Sequence, residues 1–287
     1  MNLKHIKKLM ERRKSQKKGE AGYVLIVGGC EDQVGPVSLA ALAALRAGCD
    51  SVTIAAPEKV AWAVNTLIPD INTKKFPGKY FTLKHAKEIA KLSDKFDVVL
   101  IGNGLGPQAA NFCKALIRKV HKPKVLDSDA LKVISFKEMD NSILTATYSE
   151  MEKLLLNSQK EFLLPRLTDT NPKELGDMLQ GNLKFFLNNG NVLLIKGPTD
   201  IIISLNKVTL NKSGNPGMAK AGTGDVLAGL CAGFYAQTKD AFKSAMASSF
   251  VNGKLADLLL KRKGGYSFIA SDILEDFQKL KGKKIIK

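Results

Sequence analysis

The apolar positions of this chain gather into short, unbroken runs. Tyr23–Val27, Phe96–Ile101, Lys124–Leu126, Ser142–Thr145 and Asn191–Ile195 show no in-out alternation, with Ser51–Ala55 a further short strand. Continuous runs of this length read as strands covered on both faces, which is how strands of a parallel sheet are buried. Helical segments lie between them. Val37–Ala47, Pro57–Leu67, Ala130–Ile134, Tyr148–Leu156 and Pro172–Asn189 are predicted helical, with Gly181 as a break point in the last. Near the end the pattern changes: Ile201–Ser204 and Lys207–Leu210 read as a hairpin around Leu205-Asn206. Helices Asp225–Ala236, Ala241–Leu260 and Ser271–Lys279 follow. Strands alternating with helices predict an α/β fold with a mostly parallel central sheet and helices on both faces. No repeat and no Pro/Gly/Ser linker divides it, so residues 19–287 read as one domain. Residues 1–18 are set apart as a basic amphipathic arm, with Leu3, Ile6 and Leu9 or Met10 at helical spacing.

Composition narrows this picture only a little. With 287 residues, 45% hydrophobic and 25% charged, the chain has a globular make-up. Asp225 interrupts the longest apolar stretch, so no membrane span is expected. The basic N-terminus has no apolar signal core, which predicts a cytoplasmic protein. Cys30, Cys49, Cys113 and Cys231 form no CxxC pair and read as reduced, structural thiols. The net charge of +17 favours anionic partners. Its Lys and Arg are nevertheless spread along the chain apart from the two ends, without zinc-finger spacing or an aromatic-basic signature. A Lys-rich solvated surface is therefore the reading kept, and a nucleic-acid role is set aside as the alternative.

The chemistry concentrates in Asn211–Ala236. A polar loop, Gly214-Asn215-Pro216-Gly217, leads through Ala221-Gly222-Thr223-Gly224-Asp225 into an apolar helix. Unsatisfied N–H groups and the positive end of the helix dipole make such a junction attractive to anions. Gly222 and Gly224 admit a phosphate closely because neither carries a Cβ. Asp225 stands out, since a carboxylate repels phosphate: it is either a first-turn cap or a general base beside a transferring phosphoryl group. Glycine clusters also follow the strands at Gly28-Gly29 and at Gly102-Asn103-Gly104-Leu105-Gly106, where ligands of parallel sheets bind. Neither cluster has dinucleotide or P-loop spacing. Asp127 and Asp129 at a strand end either hold Mg²⁺ through waters or cap the next helix.

Taken in order, these segments resemble the ADP/ATP-dependent NAD(P)H-hydrate dehydratases, which have the ribokinase-like fold and are related to hydroxyethylthiazole kinase-type enzymes. The resemblance spans Lys17 to about Asp257. It is carried by KKGEAGYVLIVGG at Lys17–Gly29, LAALRAG at Leu42–Gly48, IGNGLG at Ile101–Gly106, LDSDAL at Leu126–Leu131, IKG at Ile195–Gly197 and GNPGMAKAGTGDVLAG at Gly214–Gly229. It implies that ADP or ATP phosphorylates the ring hydroxyl of hydrated NADH or NADPH, and that phosphate elimination then restores the reduced cofactor. Asp225 is the implied base, and the Ala221–Gly224 backbone, with Gly222 and Gly224, the implied anion hole. Lys196, Gly197, Asn215, Ala221, Thr223 and Gly224 are implied nucleotide contacts. Gly104, Thr147 and Val37, beside Asp225, are implied substrate contacts. Mg²⁺ is implied through the nucleotide phosphates, with Asp127 and Glu150 as candidate supports. A homo-oligomer and a separate epimerase for the hydrated cofactor are the implied partners.

Three positions depart from the family pattern. Thr147 stands where a histidine of a TPHxGE stretch contacts the dinucleotide; Gly35-Pro36-Val37 replaces an Ala-rich segment; Asp200 replaces a threonine. They leave open a relative that phosphorylates a different alcohol, a small-molecule kinase of the same fold.

Overall fold

The computed structural model describes residues 14–277. Most of the basic arm and the end of the expected helix Ser271–Lys279 lie outside them; within them the last helix is Ala270–Glu275. A nine-stranded sheet runs through the molecule in the order β3-β2-β1-β4-β5-β6-β7-β8-β9. Its strands are β1 Tyr23–Val27, β2 Ser51–Pro57, β3 Asn72–Phe76, β4 Val98–Ile101, β5 Lys124–Asp127, β6 Ser142–Ala146, β7 Val192–Ile195, β8 Asp200–Ser204 and β9 Lys207–Asn211. Pairings from β3 through β7 are all parallel, while β7–β8 and β8–β9 are antiparallel. Sheet, hairpin and helices on both faces agree with the sequence expectation.

Strand side chains explain why the runs are unbroken. Leu25, Val27, Val99 and Ile101 face one core, with the helices Leu83–Ser93, Ala110–Lys119 and Tyr148–Asn157 over it. Val24, Ile26, Val98 and Leu100 face the other, beneath Gly35–Ala47, Glu58–Leu67 and Thr223–Thr238. Alternate residues point to opposite faces, and both faces are dry, so every position must be apolar.

The helices Ala110–Lys119 and Pro165–Asp169 have no counterpart in the sequence reading, and two further elements escape it for a visible reason. β3 is NTKKF, an edge strand whose exposed positions are Asn72 and Lys74, and charged residues are common on sheet edges. The helix Leu83–Ser93 buries only Ala86, Ile89 and Ser93, a narrow stripe at helical spacing. A further difference is the break in Pro172–Asn189, which falls at Leu183, between helices Pro172–Asn182 and Lys184–Leu187. Gly181 lies inside the first of these with open space around it.

The helix Thr223–Thr238 is buried on nearly every side from Val226 to Ala236. A Cβ on Gly229 would lie 2.1 Å from the Ala40 carbonyl oxygen, and one on Gly233 2.5 Å from that of Ala44. The helix therefore rests backbone against backbone on Gly35–Ala47. That close contact fixes where its N-terminus, and hence Asp225, can sit.

Candidate active site

The glycine turns collect at the C-terminal ends of β1, β4 and β7, beside the end of β5, where the N-terminus of Thr223–Thr238 also arrives. Gly222 is its N-cap in the left-handed region at φ 91°, which glycine adopts at low cost. Thr223 donates its hydroxyl to the carbonyls of Met218 (2.7 Å) and Lys220 (2.9 Å), closing the loop on itself. Asn215 does similar work: its Oδ1 accepts from Gly217 N at 3.1 Å and its Nδ2 donates to Asp257 at 3.3 Å. These two side chains are thus spent on loop shape. What the loop leaves for an anion is backbone: Gly224 and Asp225 lie in the first helical turn, where N–H groups have no intrahelical acceptor. A Cβ at Gly224 would stand 3.5 Å from Lys196 Nζ, so the missing side chain opens a path between the helix end and that ammonium. Ala221 is exposed at the rim.

Asp225 does not cap its helix. Its Oδ1 accepts from Asn103 Nδ2 at 2.6 Å, and the same Nδ2 donates to Asp127 Oδ2 at 3.0 Å. Asp127 also accepts from Thr145 Oγ1 at 2.7 Å and Lys196 Nζ at 2.9 Å. Lys196, its side chain 18% exposed, lies 3.6 Å from Glu150 Oε2. Burial works to lower the Lys196 ammonium, but the neighbouring Asp127 and Glu150 prevail and hold its pKa above the usual value. Burial pushes Asp225 the other way from an ordinary carboxyl, up to about 6, with Asp127 and Glu150 adding to the shift while Asn103 and Lys196 oppose it. A base that titrates near neutrality is what proton abstraction at physiological pH requires.

The same shift carries a stability cost with a definite sign. A carboxyl raised in the folded state binds its proton more tightly there, so the penalty is absent below about pH 4 and complete above the folded value of about 6. Asp225→Asn should therefore stabilise the protein by on the order of 2–3 kcal/mol at pH 8. Urea unfolding of both proteins at pH 8 and pH 4 checks this, and the gain should fade at the lower pH.

The other positions expected from the sequence divide. Gly104, at φ 69°, packs on Gln33 and Pro36 in the adjoining turn. Val37 is 0% exposed and props Gly28 from beneath, so it shapes that turn and offers no surface. Thr147 caps Tyr148–Asn157: its Oγ1 and N both bond Glu150 Oε2, at 2.9 and 2.7 Å. Gly197 is exposed beside Tyr148, and its N–H donates to Asp200 at 3.1 Å. Asp129 turns away from Asp127, accepting from Gly106 N at 2.9 Å and pairing with Lys132. No three His, Cys, Asp or Glu side chains converge at metal-holding spacing among the described residues. Asn103 is the site residue that sequence reading passed over. Its signal was an amide-bearing residue between two glycines at a strand's C-terminal end, which reads as an ordinary turn.

The mostly parallel nine-stranded sheet with helices on both faces is a ribokinase-like fold. Within that class, the family model for NAD(P)H-hydrate dehydratase matches residues 24–279, and the chain belongs to this family. A bifunctional NAD(P)H-hydrate repair enzyme of Methanothermobacter thermautotrophicus is 34% identical over 93% of the chain and 51% of its own length. The chain thus spans about half the length of that relative. An ADP-dependent (S)-NAD(P)H-hydrate dehydratase of Cenarchaeum symbiosum is 30% identical, covering 92% of this chain and 90% of the relative. Among solved structures, the Bacillus subtilis ADP/ATP-dependent NAD(P)H-hydrate dehydratase, co-crystallised with ATP/Mg²⁺, superposes with a TM-score of 0.79 over 97% of this chain and 96% of that one, at 23% identity. No helix of the described residues is long and apolar enough to cross a membrane.

Proposed function

We propose that the protein dehydrates hydrated NADH or NADPH, using ADP or ATP as phosphoryl donor. The observation that carries the reading is the half-buried carboxylate of Asp225, set at the first turn of the helix beside the Gly224 opening onto Lys196. Asp225 takes the proton of the substrate's ring hydroxyl as that oxygen attacks the terminal phosphorus of the nucleotide. The N–H groups at the helix N-terminus and the Lys196 ammonium receive the charge that develops on the transferring group. The C–O bond to the new phosphate then breaks, a ring C–H proton is lost and the reduced nicotinamide is restored. Asp127 and Glu150 are engaged with Asn103, Thr145, Lys196 and Thr147, so a divalent cation would come with the nucleotide and would offset the charge of its phosphates. Lys196, Gly197 and the Asn215 loop line the nucleotide side; Gly104 and the Thr147 rim lie toward the substrate. Residues 19–287 act as one domain. A homo-oligomer and a separate hydrate epimerase that supplies the reactive epimer belong to the same reading.

Near-ultraviolet absorbance of reduced nicotinamide tests it. Hydrated NADH mixed with the protein, Mg²⁺ and ADP or ATP should give a nucleotide-dependent rise and release free phosphate. The second reading, a kinase for another alcohol, is motivated by Thr147 and Pro36, which replace the family's usual residues on the substrate side. It predicts a flat trace and a stable phosphoester. The acid limb of kcat/KM for the dehydratase should fall near pH 6, activity rising as Asp225 ionises. A limb at or below pH 4 would rule Asp225 out as the titrating base.

A further inference from the structure

Asn103 is buried at 0% exposure in the turn after β4. Its backbone is clamped: the carbonyl accepts from Gly29 N at 2.9 Å, and flanking Gly102 and Gly104 take φ of 130° and 69°. The side chain consequently has one place to go, between two carboxylates from distant parts of the chain. Both hydrogens of Nδ2 are donated, one to Asp225 Oδ1 (2.6 Å) and one to Asp127 Oδ2 (3.0 Å). Turning the amide over would put its carbonyl oxygen against both acids, so the carboxylates fix the orientation. The consequence is visible on the opposite side, where Asn103 Oδ1 is buried with no hydrogen-bond partner. A buried orphan acceptor is costly, and it is tolerated here because the other face of the amide does two jobs.

We propose that Asn103 is the positioning residue of the phosphoryl-transfer site, holding the Asp225 carboxylate in place and ionised by tying it to the Asp127–Lys196 pair. Through this one amide the base on one side of the reaction and the cation on the other share a network: Asp225, Asn103, Asp127, Lys196 and, at 3.6 Å, Glu150. The groups that act electrostatically on Asp225 are Asp127 at the end of β5, Lys196 after β7 and Glu150 on Tyr148–Asn157. Two of these three are acids, so without Asn103 the net pressure is toward protonation. The hydrogen bond donated to Asp225 stabilises its charged form and counters that pressure. This assignment rests on Asp225 being the base, as proposed above.

The test compares wild type with Asn103→Ala and with Asn103→Leu, which keeps the branched shape but donates nothing. Removing the donor should move the acid limb of kcat/KM by roughly one pH unit toward higher pH. The ratio of wild-type to variant kcat/KM should then be about tenfold larger at pH 5 than at pH 8.5, because above both titrations the two bases are equally ionised. Nucleotide KM should hardly change. A loss of the same size at every pH in a folded variant would make Asn103 a filler of the turn and overturn the proposal. A second readout does not depend on turnover: the carboxyl carbon of Asp225, labelled with ¹³C and assigned through Asp225→Asn, is titrated by NMR. Its midpoint should rise in Asn103→Leu; an unchanged midpoint overturns the assignment. If wild type fails to convert hydrated NADH while this midpoint moves, the dehydratase reading fails and the role of Asn103 stands.

Discussion

Asp225→Asn should lower kcat by roughly 10²–10⁴ while nucleotide binding survives. The substitution keeps the shape of the side chain and can still accept from Asn103 Nδ2, so the site is not torn open. What disappears is the capacity to take a proton, and that matters chiefly in the transition state. Steady-state kinetics with hydrated NADH, beside nucleotide affinity measured by calorimetry, separates the two effects. Equal weakening of both would mean that Asp225 shapes the pocket instead of acting as base. A non-enzymatic binding protein would show no change at all.

Gly102→Ala should be the most damaging small change to the fold. Gly102 sits at φ 130°, where an L side chain is strained, and a Cβ there would lie 1.8 Å from the Asp127 carbonyl oxygen. Backbone cannot move aside as a side-chain tip can, so β4 or β5 must shift. A cost of about 3–5 kcal/mol is expected, from combining a disfavoured φ with overpacking. In a chain of this size that is a Tm decrease on the order of 10 °C. Because Asp127 and Asn103 flank the contact, activity should fall more steeply than stability. A melting temperature within a degree or two of wild type would contradict the packing described.

How much of this was readable beforehand follows from what each element has to satisfy. β1, β4 and β7 are buried on both faces and are written almost wholly in apolar letters, so they announce themselves. β3 lies at the sheet's edge with Asn72 and Lys74 exposed, and its pattern is that of a loop. The helix Leu83–Ser93 hides a narrow buried stripe among five exposed or half-exposed charged and polar positions of the same segment, and its period was there to be found. Gly224 and Asp225 drew notice because glycines before an apolar helix have a local cause, whereas Lys196 was singled out only through the family resemblance. The joining of Asp127 to Lys196 across 69 residues has no local cause. Nor does the bridging amide, whose partner Asp225 stands 122 residues away. Thr147, Thr223 and Asn215, expected as ligand contacts, have side chains that bond within the protein.

The antiparallel hairpin governs where the chemistry can be assembled. β7 carries the chain to the end of the sheet where Lys196 sits, β8 takes it back, and β9 returns it, with Asn211 paired to Asp200 beside the place it left. The round trip uses an even number of strands. With one strand fewer or one more, the Gly214–Gly217 loop and the helix end would emerge at the opposite edge, some five residues' length from Lys196. The sheet can thus lengthen or shorten at this margin only two strands at a time, a parity constraint on how such a fold diversifies. The turn at Leu205-Asn206, at the far pole, is by the same count the point on the hairpin where added chain meets no part of the reaction.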